Sequence, residues 1–298
     1  MTPTDIKDFL AYEWMRATPE LNNLSLNEMT LPGTHNAGCD LEASYSNAFT
    51  RNWFACQDVP FFSQLSRGAR ALDVRLVYDA SAHGLAKFRF VHNGTWSSRT
   101  LADLIRGIKA FLDRSFHEFI ILDFHKLEHG DEPFDFKYFN DMMKEHLGEH
   151  IIPTENKALT LGQLKAASRP QRVLVNAPYN NSLDRKLFGS EIPHRWAGSD
   201  ATKVVGDTFS HSRLKTFVTE VLANPPGKRA PWSLSAAVYD AGGPVRMLQD
   251  LDEWFDPTKS DWAEQCSIIN FDFIKNSKLV YFCYLANLKK ASRKSRQA

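Results

Sequence analysis

His35 lies in Leu31-Pro-Gly-Thr-His-Asn-Ala-Gly-Cys39, and a second histidine, His92, ends the stretch Lys87-Phe-Arg-Phe-Val-His. Imidazole titrates near neutrality, so either ring can take or give a proton. Asp73 and Arg75 stand two apart in Ala69-Arg-Ala-Leu-Asp-Val-Arg-Leu-Val-Tyr78. Period-two alternation puts them on one strand face, where they can pair or serve one anion-binding spot. A guanidinium presents a rigid fork that suits phosphate. Asp123, His125 and Lys126 end Glu118-Phe-Ile-Ile-Leu-Asp-Phe-His-Lys, Asp207 ends Lys203-Val-Val-Gly-Asp, and Asp272 ends Cys266-Ser-Ile-Ile-Asn-Phe-Asp. A single histidine is most often a surface or satisfied core residue, and an isolated Asp–Arg pair is most often structural. Their recurrence at one apolar stretch after another points instead to proton transfer beside a bound anion.

These stretches read as strands. Leu24 to Thr30 alternates apolar and polar and is expected as the first strand, stopped by Pro32 and Gly33, so that His35 falls in the loop beyond it. Strands are expected next at 69–78, 87–92, 118–124, 172–176, 203–207, 233–239 and 266–273. Helices are expected at 5–16, 100–114, 133–147, 211–222 and 276–291, with Thr100 and Asp103 as a capping box. Residues 178–200 read as loop. The near-continuous apolar run at 118–124 fits a parallel strand covered on both faces. Strands alternating with helices along one chain imply a parallel sheet with crossovers, most simply a distorted (β/α)8 TIM-type barrel in a single α/β domain. Such a barrel gathers its strand C-termini on one face, where active sites lie.

Composition agrees with this. The chain has 298 residues, 43% hydrophobic and 24% charged, enough for one barrel. A net charge of +1 gives no field that favours nucleic acid. Four cysteines, Cys39, Cys56, Cys266 and Cys283, show no metal spacing and read as free thiols. The N-terminus carries no apolar core of signal-peptide length, and no run of 18 apolar residues occurs. The expectation is a protein released by a route without such a leader and acting at membrane surfaces, or else a cytoplasmic one.

Leu31-Pro-Gly-Thr-His-Asn, Arg67-Gly-Ala-Arg-Ala-Leu-Asp-Val-Arg75, Phe90-Val-His-Asn-Gly and Asn270-Phe-Asp-Phe resemble the X-type catalytic domain of phosphatidylinositol-specific phospholipases C, most of all the bacterial form. The resemblance runs over about residues 20–290. It implies cleavage of phosphatidylinositol to diacylglycerol and inositol 1,2-cyclic phosphate. His35 would be the general base, Asp272 its orienting partner, Arg75 the phosphate ligand and His92 the general acid, with Asp73 and Asn36 beside them. His125, Lys126, Asp207 and Tyr239 would meet the headgroup. Arg75 stands where eukaryotic relatives place a calcium-binding carboxylate, so no cofactor is expected; calcium on Asn36, Asp73 and Asp123 is the alternative.

The chain departs from the family pattern at Asn93, inserted between His92 and Gly94, and at the end of the fifth strand, Val175-Asn-Ala-Pro-Tyr179, where bacterial relatives place an arginine that contacts inositol. Two other functions fit the barrel. One is a phosphodiesterase of another phospholipid or of glycerophosphodiesters, which would want a Glu-x-Asp metal pair in place of Asp73-x-Arg75. The other is a catalytically inactive lipid- or headgroup-binding barrel, which would not need His35, Arg75, His92 and Asp272 together. The expected partner is phosphatidylinositol in a membrane, with Trp53 and Phe54 of the aromatic 45–62 stretch touching lipid. The cations from Lys289 to Arg296 read as a helix end on the opposite face.

Overall fold

The structure, a computed structural model, describes residues 6–46, 51–196, 211–227, 230–240 and 242–297. Asp207 and the strand expected at 203–207 lie outside the described residues. In order, the elements are β1 (Leu31–Thr34), α1 (Arg51–Phe54), α2 (Phe61–Ser66), β2 (Ala71–Tyr78), β3 (Phe88–His92), β4 (Thr95–Thr100), α3 (Leu101–Arg114), β5 (Ile120–Glu128), α4 (Phe136–Leu147) and α5 (Leu161–Ala167). After them come β6 (Val173–Asn176), β7 (Phe188–Gly189), β8 (His194–Arg195), α6 (His211–Ala223), β9 (Ser233–Ala236), β10 (Tyr239–Asp240), β11 (Gly243–Pro244), α7 (Leu248–Trp254), α8 (Trp262–Gln265), β12 (Ile268–Phe271) and α9 (Leu279–Ser295). Eight strands form one curled sheet in the order β7-β6-β5-β2-β1-β12-β9-β8, every neighbour parallel.

Helices cover the outside of this curled sheet, which makes it an α/β barrel of the distorted kind. Its two edges are β7 and β8, and residues 190–193 alone carry the chain from one to the other. Five residue steps reach at most about 18 Å. The chain thus spans the open seam covalently.

The first strand is the Leu-Pro-Gly-Thr segment itself, not residues 24–30. There Leu24, Leu26 and Met29 are buried, but so are Ser25 and Thr30, and burial does not alternate. The backbone turns because Ser25 N and Oγ both donate to Glu28 Oε2 and Glu28 N donates to Ser25 O. A local side-chain bond of this kind competes with extended pairing. Pro32 is tolerated inside β1 because its nitrogen faces the start of β2, below the first paired residue, Gly33 opposite Ala71. Its carbonyl still accepts from Arg70 N. Gly33 is required by crowding, since a Cβ there would lie 2.7 Å from Ile268 Cγ2.

The opening helix is also replaced, by two single turns at Ile6–Asp8 and Ala11–Glu13. The cause is a buried ion pair under the barrel. Glu118 accepts from Met15 N and Arg16 N, and Arg70 donates to the carbonyls of Ala11 and Tyr12. These backbone groups therefore bond to side chains rather than to an extended helix. Arg70 and Glu118 meet at 2.6 Å, both fully buried, and the guanidinium also lies 4.9 Å over the Phe111 ring. On the same side α9 is held by Lys289 and Arg293 to Glu264 and by Lys294 to Glu28. Lys290 reaches Thr30 Oγ1 and Cys266 O, directly below β1 and β12. The cationic helix end thus sits at the N-terminal face.

Removing one partner of a buried pair strands the other charge. Glu118→Ala should lower the unfolding free energy in urea by about 3–5 kcal/mol. A loss under ~1 kcal/mol, the size of an exposed pair, would show that Arg70 finds water instead.

Candidate active site

Four strands bring the chemistry together, β1, β12, β2 and β3, and the first three belong to the barrel. β1 pairs with β12, Thr34 opposite Phe271, and His35 N donates to Phe271 O. His35 and Asp272 therefore leave neighbouring parallel strands side by side, and His35 Nδ1 meets Asp272 Oδ1 at 2.8 Å. Gln57 Nε2 donates to the carbonyls of both His35 and Phe271, locking the two strand ends.

β1 ends at Thr34, opposite Leu72, and leaves the upper half of β2 without that neighbour. β3 takes the place, running antiparallel, with Leu76 opposite Phe90. His92 thus comes down toward the site as His35 comes up, which corrects the expectation of a parallel barrel strand ending in His92. The inserted Asn93 has a clear role. Asn93 and Gly94, with φ of 48° and 77°, form the two-residue turn between His92 and Thr95. Two consecutive left-handed residues are what a tight hairpin with matching twist demands. The rings of His35 and His92 meet edge to face, with centroids 6.1 Å apart.

The residue after His35 and the residue after Asp272 also have positive φ, Asn36 at 46° and Phe273 at 58°. Asn adopts this conformation readily, whereas Phe does so at a cost of order 1–3 kcal/mol. Each of the three strand ends therefore reverses sharply just past its functional side chain.

Asp73 and Arg75 face the same space from β2, as period two requires. Arg75 Nε donates to Asp73 Oδ1 at 3.1 Å and a terminal nitrogen to Oδ2 at 2.8 Å. Asn36 N and Asn270 Nδ2 also donate to Oδ2, each at 3.2 Å, and His35 Nε2 lies 4.0 Å from it. Burial raises the Asp73 pKa, but the Arg75 guanidinium, with His125 and His35, outweighs it and holds the carboxyl well below the usual range. Burial raises the pKa of Asp272, against the pull of His35.

His92 Nδ1 donates to Phe54 O at 2.9 Å, so its neutral form presents Nε2 as an acceptor. Burial, and then the neighbouring His35 and Arg75, push its pKa down to about 3. Tyr239 stands beside both rings, its centroid 6.0 Å from that of His35 and 5.6 Å from that of His92, with its hydroxyl 3.2 Å from His35 Nδ1 and 3.6 Å from Cys56 Sγ. Tyr239 comes from the β10–β11 hairpin, since β9 stops at Ala236.

A second cluster adjoins Asp73. Asp123 pairs with Asp73 in register, and past it the β2–β5 pairing slips by one residue at a bulge that contains His125. Bulges re-aim side chains. His125 stacks on His194 at 3.7 Å, and His194 Nε2 meets Asp123 Oδ2 at 2.6 Å. Burial raises the Asp123 pKa to about 6 and lowers that of His125 to about 3. Asp123 Oδ1, His125 Nδ1 and both polar atoms of the Asn36 amide are buried without a hydrogen-bond partner. They are spare donors and acceptors facing this region. Lys126 is not brought in: it is half-exposed, its ammonium 4.0 Å from Glu128.

Trp53 is 54% exposed on α1, while Phe54 packs inward, its ring centroid 5.8 Å from that of His92. Sequence reasoning missed Gln57, Cys56 and His194. His194 lay in a Pro/Asn-rich stretch read as loop, and no spacing linked it to Asp123, 71 residues earlier.

The fit of a cation to Asn36, Asp73 and Asp123 is poor on this geometry, because Arg75 engages both oxygens of Asp73 and His194 holds one of Asp123. To an anion the arrangement offers a guanidinium, two imidazoles and a free amide around one space. An anion there should draw a proton onto His92, which is neutral at pH 7 in the free protein. Sulfate binding, measured by calorimetry in buffers of different ionisation enthalpy at pH 7, should take up close to one proton per site. Zero uptake would remove His92 from the anion's partners.

No protein-family model matches the chain. In sequence it is similar to "PI-PLC X domain-containing protein 2" of Homo sapiens, 25% identical over 214 residues that span 64% of this chain and 68% of that one. "PI-PLC X domain-containing protein 3" of Bos taurus is 20% identical over 292 residues, 88% of this chain and 89% of that one. The "Variant-surface-glycoprotein phospholipase C" of Trypanosoma cruzi is 24% identical over 235 residues, 68% of this chain and 59% of that one. In fold the chain matches the phosphatidylinositol-specific phospholipase C of Staphylococcus aureus, with a TM-score of 0.67 at 14% identity, covering 94% of this chain and 99% of that one. The enzyme of the same name from Listeria monocytogenes gives 0.65 at 15%, covering 93% and 99%. These likenesses in structure carry the barrel.

Proposed function

We propose that this chain, whose relatives and barrel support the phosphatidylinositol-specific phospholipase C X-domain family, cleaves phosphatidylinositol to diacylglycerol and inositol 1,2-cyclic phosphate. The observation that carries the reading is His35, tied to Asp272 at 2.8 Å, facing His92 beside the Arg75 fork. The inositol 2-hydroxyl attacks phosphorus while His35 Nε2 takes its proton. An internal nucleophile makes the attack effectively unimolecular. Asp272 fixes the His35 tautomer and offsets the charge it gains, as in a Ser-His-Asp triad. Arg75 meets the non-bridging oxygens as charge builds on them. The bond to the diacylglycerol oxygen breaks, and His92 Nε2 supplies that oxygen's proton. His92 must first gain this second proton, which the anionic substrate supports.

The orphaned atoms of Asn36, Asp123 and His125 would meet the headgroup hydroxyls. Arg75 supplies the charge that a metal would otherwise bring, so the reaction needs no cation.

In excess chelator, phosphorus NMR should show phosphatidylinositol turning into a cyclic phosphate. His35→Ala and His92→Ala should each lower that rate by about 10²–10⁴-fold. A linear phosphate as the first product, or near-wild-type rates in either variant, would reject the mechanism. Activity lost in chelator and restored by calcium would return the ion to Asn36, Asp73 and Asp123.

The substrate sits in a bilayer, so the face around His92 must meet lipid. No helix among the described residues is long and apolar enough to cross a membrane. Trp53 is an exposed aromatic next to Phe54, whose ring packs near His92, and Trp suits the interface because its ring is apolar and its N–H polar. Trp53→Ala should weaken vesicle binding and hydrolysis on vesicles yet spare a water-soluble inositol phosphodiester. Equal loss on both substrates would make Trp53 a structural residue.

A further inference from the structure

Cys56 lies inside this site without a part in the chemistry above. Its sulfur is 3.5 Å from His92 Nδ1 and 3.6 Å from the Tyr239 hydroxyl. One ligand atom each of His35, Cys56 and Asp272 fall within 4.8 Å of one another, all three residues buried. A thiol, an imidazole and a carboxylate are the donor set of borderline-soft transition metals. Zinc takes sulfur at about 2.3 Å and nitrogen or oxygen at about 2.0–2.2 Å, which places tetrahedral donors about 3.3–3.8 Å apart. The 2.8 Å His35–Asp272 contact would open toward that spacing, while the Cys56 sulfur already lies within 4.8 Å of both ligand atoms. A second observation points the same way. Asp272 Oδ2 is buried without a hydrogen-bond partner, on a side chain 2% exposed, with the Cys56 thiol beside it. Tyr239 OH lies within reach of both Cys56 and His35 and lines the same space.

We propose that Cys56, His35 and Asp272 form an inhibitory site for a zinc-like ion, which shuts the catalytic base when it is filled. The ion displaces the thiol proton to solvent and takes thiolate, imidazole and carboxylate. On His35 it takes Nδ1, the nitrogen now bonded to Asp272, and the ring proton moves to Nε2. Nε2 is the atom that must accept the hydroxyl proton, so the base is lost although nothing blocks Arg75. The inhibitory half rests on the function proposed above; the metal site does not. Calcium and magnesium, which prefer all-oxygen ligands, should not compete.

The test uses cobalt(II) as a spectroscopic stand-in for zinc on the full chain. One equivalent should give a near-ultraviolet thiolate-to-cobalt band and intense visible bands of four-coordinate cobalt, both erased by one equivalent of zinc and untouched by calcium. Cys56→Ser should abolish the thiolate band, and Cys39→Ser, the neighbouring buried thiol, should keep it. Asp272→Asn is the second variant, chosen because it keeps the shape of the side chain; it should weaken zinc binding at least tenfold in equilibrium dialysis. Zinc should suppress hydrolysis with the same midpoint as binding, and Cys56→Ser should shift that midpoint at least tenfold relative to its own metal-free rate. A band that survives Cys56→Ser, or zinc affinity unchanged in both Cys56→Ser and Asp272→Asn, would overturn the site. If the band appears and obeys the variants while no lipid is cleaved, the metal site stands and the proposed reaction falls.

Discussion

The contact between His35 and Asp272 joins residues 237 positions apart at 2.8 Å, and the rest of the site is arranged about it. It exists because the first and last barrel strands pair in one register, Leu31 through Thr34 against Ile268 through Phe271. A one-residue slip would turn every side chain of β1 to the opposite face. Crowding at Gly33 fixes the depth of the pairing, and Gln57 fixes the strand ends from above. The imidazole therefore arrives already oriented, its tautomer set by a carboxylate on a different strand. Pre-organisation of this kind lets a base act without first giving up rotamer freedom.

A parallel barrel offers each strand end one residue or two before the chain turns outward. This chain gets more from its strands by breaking regularity in three ways. The β3–β4 hairpin substitutes for β1 beside the upper half of β2 and delivers His92 from above. The bulge on β5 swings His125 toward Asp73 and His194. Left-handed residues after His35, His92 and Asp272 turn the backbone at once, so the functional side chains sit at the lip of the sheet. The positive charge of Arg75 is matched within the site by Asp73, which lets it stay buried without distorting the barrel. A substrate phosphate would share that guanidinium rather than meet a bare one.

The sequence made the inner residues legible, because type and alternation alone put Asp73 and Arg75 on one face and histidines at two apolar stretch ends. It also made the helix at 101–114 legible through its Thr100–Asp103 box, which the structure contains. It was silent where contacts replace local preference. Residues 24–30 carry strand-like alternation, yet Ser25 and Glu28 close a turn there, so the strand begins at Leu31. Residues 5–16 carry a helical stripe, yet Arg70 and Glu118 draw off the backbone groups that a helix would use. His194, Gln57 and Cys56 act through partners tens to hundreds of positions away, and no periodicity records such a distance. The turn at Asn93-Gly94 was visible as a departure from the family pattern, but its meaning needed the antiparallel register of β3.

Stability and chemistry occupy opposite ends of the sheet. Below it, Arg70 has its donors matched to Glu118 and to the carbonyls of Leu65, Ala69, Ala11 and Tyr12, and the cations of α9 meet Glu264 and Glu28. Above it, buried polar atoms of Asn36, Asp123, His125, Asn270 and Asp272 stand without partners. Each such atom costs free energy unless something else satisfies it. A fold under pressure for stability alone would fill these positions with apolar side chains, as it does along the rest of β2 and β5. Those at the strand C-termini stand next to a guanidinium and two imidazoles, where they are open to a bound polar ligand. The buried Arg70–Glu118 pair and the ion pairs of α9 beneath the sheet supply the rigidity that lets this end persist.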